Sequence, residues 1–128
     1  MVFAVGWNAC ALAADASFGI VVGTGSTAVA DTQFALATKI AQGTATGQLV
    51  HGACTLVGIT SVGNVTTMSF TRQVTNNSAA PITIQEVAMY VKSTYDGFVF
   101  MICRDVVAPQ ALQPGDSLPI YINIVVTA

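Results

Sequence analysis

Hydrophobic and polar residues alternate in the C-terminal half of the chain at the spacing of β-strands. In residues 65–74 the side chains of Met68 and Phe70 share one face, and in residues 118–127 every second residue is Leu, Ile or Val. An apolar face with a period of two is typical of half-buried strands. Arg72 falls on the apolar face of the first segment, which predicts that this face opens to solvent or to a partner near its end.

The residues between these two segments predict a hairpin. Residues 81–92 are apolar on both faces, so we expect a strand that is covered on both sides, or one with a bulge that switches its inward face midway. Residues 93–97 end in Asp-Gly, a strong turn signal, and residues 97–107 return as a largely apolar strand. Residues 108–117 are predicted to be a connection with a type II turn at its Pro-Gly pair.

The N-terminal half has shorter patterns. Residues 1–7 and 18–22 are predicted strands, and Asp31 is predicted to cap a short helix. Short strands resume in residues 48–65, separated by glycines. Many short strands with frequent turn signals predict an all-β fold, an antiparallel β-sandwich of the jelly-roll or Ig-like kind, with at most one short helix near residues 31–40.

Length and composition change this picture in one respect. The 128 residues are enough for a single domain, residues 1–128. Only 8% of them are charged, whereas 53% are hydrophobic. Soluble domains carry about a quarter charged residues, and their solubility relies on interspersed charges. We therefore expect much of the surface to be covered by other copies of the chain or by another protein.

Several classes of partner are disfavoured by the same composition. The net charge is −2 and the four Lys and Arg residues are scattered, so we expect no nucleic-acid partner and no attraction to anionic lipid. The mean hydropathy is high, +0.67. However, polar residues or glycine interrupt every long apolar run, so we expect no membrane-spanning segment.

One glycine-rich segment has the form of a dinucleotide-binding loop. Residues 23–28, GTGSTA, match G-x-G-x-x-[GA]. That motif needs a helix that starts at once and an acidic residue that closes a βαβ unit. Here no helix is expected before Asp31 and the rest of the chain is predicted to be β, so we expect a loop whose small residues pack closely against a neighbour.

No other pattern indicates catalysis or metal binding. His51 is the single histidine and no nucleophile motif accompanies it, so we interpret it as a structural residue at a strand end. Cys10, Cys54 and Cys103 are widely spaced without a CxxC pair. We interpret them as small buried hydrophobes, with one disulfide within or between subunits as the alternative. The prediction is a protein that is not an enzyme and has no catalytic residue, cofactor or metal.

Five residues are candidates for an interface with other protein chains. Phe3, Trp7 and Phe18 are aromatics near the N-terminus, where the alternative is ordinary core packing. Arg104 follows an apolar strand and, beside Asp105, is a candidate for a polar contact that fixes register; Glu86 with Lys92 is a second such pair. Tyr121 lies on the more polar face of the last strand.

Three segments resemble a type of small virion protein of tailed bacteriophages. They are residues 19–40 (GIVVGTGSTAVADTQFALATKI), 69–91 (SFTRQVTNNSAAPITIQEVAMYV) and 100–127 (FMICRDVVAPQALQPGDSLPIYINIVVT). In that type a GTG…D…LA..I opening precedes a TFTRTFTNNS…ITV.EIGLY hairpin and an RDVL…V..G..L.V.Y.I.V finish. The usual G-L-Y after the glutamate is replaced here by residues 87–90, VAMY. The resemblance implies a β-sandwich structural protein of the virion and carries no catalytic residues.

These observations lead to a functional prediction. We expect a non-enzymatic virion protein, a capsid decoration or cement protein ahead of a tail or fibre component, whose partners are itself and a major capsid or tail protein. A module that binds a host surface or carbohydrate is the alternative, and it predicts exposed aromatics beside polar groups. An enzyme would have to be built on His51.

Overall fold

The computed structural model describes residues 6–128, which form two antiparallel β-sheets packed face to face. The prediction of an all-β antiparallel sandwich is confirmed. The strands are β1 (Trp7–Asn8), β2 (Gly19–Gly23), β3 (Val50–His51), β4 (Thr55–Val62), β5 (Val65–Thr75), β6 (Ile82–Ser93), β7 (Val99–Leu112) and β8 (Ser117–Thr127).

Each sheet is built around one long central strand. In the first, here called the β6 sheet, β6 pairs with β7 on one side and with β2 and β1 on the other. In the second, the β5 sheet, β5 pairs with β8 on one side and with β4 and β3 on the other. The strands β7, β4 and β8 are therefore long edge strands.

The core lies between the two sheets, with a smaller cluster outside the β6 sheet. Val22, Ile82, Ile84 and Val74 meet at one end of the sandwich. Ile20, Phe18, Met89, Phe70 and Cys54 fill its centre. The outer cluster consists of Val21, Ala88 and Leu36, so residues 24–40 cover the outer face of the β6 sheet.

Strand β6 realises both alternatives proposed for its apolar faces. Ile84 points into the core, as does Val87 three residues later, so the inward face switches between them. A register shift in the pairing with β7 lies at the same place. On the other face, Ala88 is covered by Leu36. An apolar side chain is thus buried on each side of this strand.

The helix expected near residues 31–40 does not form. The backbone N–H of Leu36 donates to the hydroxyl of Tyr90 at 2.9 Å, and those of Ala37 and Thr38 donate to the carboxylate of Glu86. A helix needs these donors for the carbonyls four residues earlier in the chain. The β6 sheet takes the donors instead, and no helix is present anywhere in residues 6–128.

The turns match the sequence pattern more closely than the strand ends do. Gly63 and Asn64 join β4 to β5, and Gly115 has φ +91°, the value that a type II turn with Pro114 at its second position requires. The connection between the last two strands is shorter than residues 108–117, because β7 continues to Leu112. The last residues of β7 pair with the start of β6.

Candidate functional site

The predicted interface residues do not form one site. Phe3 lies outside the described residues. Trp7 and Tyr121 are 55% and 67% exposed, but they belong to different sheets. Phe18 is 6% exposed and packs in the core of the chain itself, which is the alternative role given for these aromatics. The side chain of Arg104 is buried and paired within the chain.

Glu86 is the centre of a buried polar cluster on the outer face of the β6 sheet. Its carboxylate accepts N–H groups from Gly25, Ala37 and Thr38 at 3.2, 3.0 and 2.7 Å. Arg104, from the neighbouring β7, donates from Nε at 2.9 Å and forms an ion pair at 2.8 Å. We call these five residues the Glu86 cluster. Glu86 and Arg104, both candidates for polar contacts from the sequence, are thus paired with each other.

Glu86 is held in its charged form by these donors. Burial alone raises the pKa of this carboxyl group, because a charge is costly to remove from water. The N–H groups of Thr38 and Ala37 and the guanidinium of Arg104 more than offset that cost, so its pKa lies below the ordinary value. The cluster therefore binds residues 25–38 to the sheet at neutral pH.

The glycine-rich segment has its explanation in this cluster. A Cβ at position 25 would lie 2.7 Å from a carboxylate oxygen of Glu86, and a Cβ at Gly23 would overlap the same oxygen. The glycines therefore let the backbone approach an anion, as in a phosphate-binding loop. The anion here is a side chain of the same protein. The prediction of a loop between strands that packs closely is met by this contact within the chain.

The segments that carry the resemblance to phage proteins converge on this cluster. The first contributes Gly25, Ala37 and Thr38, the second Glu86 and the third Arg104. Tyr90, from the second segment, accepts the N–H of Leu36 from the first. These residues thus serve to attach one connecting segment to one sheet. The arrangement is structural, because every oxygen of the carboxylate is occupied by donors of the same chain.

Arg72 corrects the expectation that its face of the sheet opens to solvent. It is 1% exposed, and its guanidinium donates to five backbone carbonyls. Gly52 accepts at 2.8 Å, and Phe18 and Ile20 accept at 3.1 Å each; the carbonyls of Leu12 and Asp15 complete the set. Arginine has five N–H donors, so all of them are used inside the protein. Sequence patterning missed this role because the acceptors are main-chain atoms.

His51 is buried at the end of β3, as expected of a structural histidine. Its Nδ1 lies 3.0 Å from Oε1 of Gln42, and its Nε2 has no hydrogen-bond partner in the described residues. Burial, together with the nearby charge of Arg72, lowers the pKa of His51 to about 4. The ring is therefore neutral at pH 7. Within residues 6–128 no group of His, Cys, Asp and Glu side chains is arranged to hold a metal ion.

The cysteines differ from one another in exposure, contrary to their interpretation as three buried hydrophobes. Cys54 is buried, Cys10 is half-buried and Cys103 is exposed on β7. All three are free thiols. Burial raises the pKa of Cys54, so its thiol stays protonated and behaves as an apolar group.

The exposed surface of the β5 sheet is the most unusual feature of the fold. Its four strands contain a single Asp, Glu, Lys or Arg residue, which is the buried Arg72. Large apolar side chains are nevertheless exposed on three of these strands: Val62, Val65, Tyr121 and Val125 on the outer face, Leu56, Ile59 and Val126 on the face that carries Met68 and Phe70, and Val57 at the bulge of β4. We call this region the uncharged sheet surface.

A second apolar region lies at one end of the β6 sheet. The rings of Trp7 and Phe100 meet edge to face at 5.5 Å between centroids, and Phe98 lies 6.5 Å from Phe100. Val91 and Ile102 complete the walls of a shallow cleft here. Trp7, Phe98 and Phe100 are all about half exposed or more. Such clusters of exposed aromatics are a feature of protein interfaces.

Comparisons with known proteins found no match among family models, curated proteins or solved structures. Within residues 6–128 there is also no helix with the length and hydropathy needed to cross a membrane.

Proposed function

We propose that this protein is a non-enzymatic structural protein of a tailed-bacteriophage virion, a capsid decoration or cement protein ahead of a tail component. Its partners are other copies of itself and a major capsid or tail protein. The observation that supports the proposal best is the uncharged sheet surface, where exposed apolar residues stand without a single exposed charge.

The physical argument rests on desolvation. Binding removes water from both surfaces, and a charged group left without a partner costs several kcal/mol. A surface of apolar, Thr, Ser and Asn side chains has no such cost. A specific contact needs about 800 Å² per partner, and the outer face of a sheet three strands wide offers an area of this order. This surface can therefore bind a neighbour without leaving a buried charge unpaired.

The buried polar groups support a structural role. The donors and acceptors of Glu86 and Arg72 are engaged within the chain. His51 is a neutral group at pH 7 that is 1% exposed, so substrate cannot approach it. The exposed aromatics favour protein contacts over sugar binding, since the cleft at Trp7 and Phe100 is walled by Val91 and Ile102. Sugar binding requires polar groups beside the rings.

The proposal is tested by locating the protein in purified phage particles. We expect a fixed, high copy number per particle. We also expect labelling in electron micrographs to locate the protein on the capsid. Labelling confined to the tail would show that the protein is a tail component and not a capsid decoration protein. Absence from purified particles would overturn the proposal.

A pair of variants tests the surface that carries the argument. Val125→Asp places a charge on the outer face of the β5 sheet, and we expect it to reduce incorporation into particles at least tenfold. Phe34→Asp places the same charge at a still more exposed position in the segment that covers the β6 sheet, and we expect normal incorporation. An equal loss with both variants would contradict a specific role of the uncharged sheet surface.

A further inference from the structure

Strand β4 has one edge without a partner strand. On one side it pairs with β5 from Thr55 to Val62. On its other side no strand of residues 6–128 pairs with it. All eight of its residues are exposed. In an antiparallel ladder alternate residues direct their N–H and C=O groups to each side, so half of these groups face outward.

The two other long edge strands carry features that discourage pairing, and β4 lacks most of them. Strand β7 has Arg104 and Asp105, a proline and two register shifts. Strand β8 has Pro119. Charges, prolines and bulges are the common means by which edge strands avoid association. Strand β4 has neither charge nor proline, and its single bulge, between Leu56 and Gly58, leaves the five residues that follow in regular pairing.

Both faces of β4 carry exposed apolar side chains. Ile59 shares a face with Leu56, and it is paired with Met68 on β5. Val62 lies on the opposite face, paired with Val65. A partner strand added at this edge would therefore gain side-chain contacts above and below the sheet in addition to main-chain hydrogen bonds.

We propose that two copies of the chain pair antiparallel through Gly58–Val62 of β4, across a two-fold axis, to form one continuous sheet. The inference rests on the proposed assembly function and names the partner of one of its surfaces. A second copy is the occupant because an antiparallel two-fold pairing of this segment matches it with itself: Thr60 lies opposite its own equivalent, Ile59 opposite Ser61 and Gly58 opposite Val62 of the second copy. A charged strand would repel itself in this arrangement, and β4 has no charge.

The exposure of β4 is consistent with such a partner. All eight residues of the strand are exposed, and Ile59 and Val62 are 57% and 79% exposed. A partner strand at this edge would bury apolar side chains on both faces in addition to the main-chain groups of the edge.

Sedimentation equilibrium of the wild-type chain and two variants tests the proposal. We expect a concentration-dependent dimer of the wild type. Ile59→Lys places two ammonium groups near each other across the axis, and we expect the Kd to rise at least about 100-fold, since like charges at an interface cost several kcal/mol. Val29→Lys is the matched control, since Val29 is 54% exposed and Ile59 57%, and we expect the wild-type Kd.

Hydrogen exchange supplies a second measurement that does not depend on a variant. We expect alternate amides of Gly58–Val62 to become protected as the protein concentration rises, whereas the amides of β8 keep the same protection. A wild type that stays monomeric at high concentration would overturn the pairing, as would a dimer that Ile59→Lys leaves intact. A monomer that is still found in particles would leave the proposed function standing, whereas a dimer absent from particles would remove that function alone.

Discussion

The two sheets of this sandwich differ in where their charged residues lie and in whether their outer faces are covered. The β6 sheet carries Glu86 and Arg104 as a buried pair, and residues 24–40 of the same chain cover its outer face. The β5 sheet carries one charged residue, Arg72, which points inward, and the described residues leave its outer face uncovered. The β6 sheet is thus covered by its own chain around Glu86 and Ala88, although its aromatic end stays exposed. The other has apolar residues on its surface and no cover from the described residues, and this is the basis of the proposed partner.

The largest effect is expected at Arg72, whose guanidinium on β5 donates to the carbonyl of Ile20 in the other sheet and to four further backbone carbonyls. Arg72→Met keeps much of the side-chain volume but leaves five backbone carbonyls without donors. Each unsatisfied buried group costs about 1–3 kcal/mol, so we expect a loss of about 5 kcal/mol or more, enough to unfold a marginally stable domain. Urea denaturation measures it, and a loss below about 1 kcal/mol would contradict the assigned contacts.

The next effect concerns the cover of the β6 sheet. Glu86→Gln removes the charge and leaves Arg104 buried without its counter-ion, so we expect a loss of about 4 kcal/mol in the free energy of unfolding. Hydrogen exchange at Ala37 and Thr38 is expected to accelerate, because their acceptor is weakened. Asp105→Asn, at an exposed neighbouring position, is the control and is expected to change stability by less than about 0.5 kcal/mol.

The pH dependence of the free energy of unfolding tests His51, which lies on β3 of the β5 sheet. The folded protein holds the pKa of His51 at about 4, below its ordinary value of 6.5, so the unfolded chain binds the proton more readily. Stability is therefore complete above pH 6.5 and falls as the pH drops toward 4, by about 3 kcal/mol in total. His51→Gln is expected to flatten this dependence. The Glu86 cluster adds a second loss, which begins as the pH falls below the ordinary carboxyl pKa of 4.5 and continues to the lower pKa of the folded state.

The smallest effect on stability is expected on the uncharged sheet surface. Val62→Thr, at an exposed position of β4, is expected to change the free energy of unfolding by less than about 0.5 kcal/mol, since the side chain has little to lose on the monomer. A larger loss in the monomer would mean that this surface serves the fold of the single chain. The contrast between the two sheets would then disappear.

The sequence predicted the strands from residue 65 onward because local periodicity reflects which face is buried. Alternation located β5 and β8, and the Asp-Gly and Pro-Gly pairs located two turns. The sequence allowed at most one short helix, near residues 31–40, and none forms for a physical reason. A local pattern of Asp followed by apolar residues favours a helix, but the backbone donors of Leu36, Ala37 and Thr38 are taken by Tyr90 and Glu86 from a distant strand.

The interface residues were harder to predict than the strands. Trp7 and Tyr121 are exposed, and their part in an interface stays a prediction. Phe18 and Arg104 are used within the chain, and no local signal in the sequence distinguishes them from exposed residues. The exposure of β4 was not predicted, because its apolar side chains match those of a buried strand. Its position at the edge of a sheet depends on which strands pair.

What the sequence determined by itself was the class of the fold and the scarcity of charge, since both follow from residue types and their spacing along the chain. Tertiary structure alone decided which surface of the protein lacks charged residues. Glu86, Arg104 and the glycines at 23 and 25 are far apart in sequence and meet only when β6 pairs with β7 and β2. Burial is a property of contacts between distant segments, so the sheet that its own chain covers and the sheet left exposed are distinguished only in the folded protein.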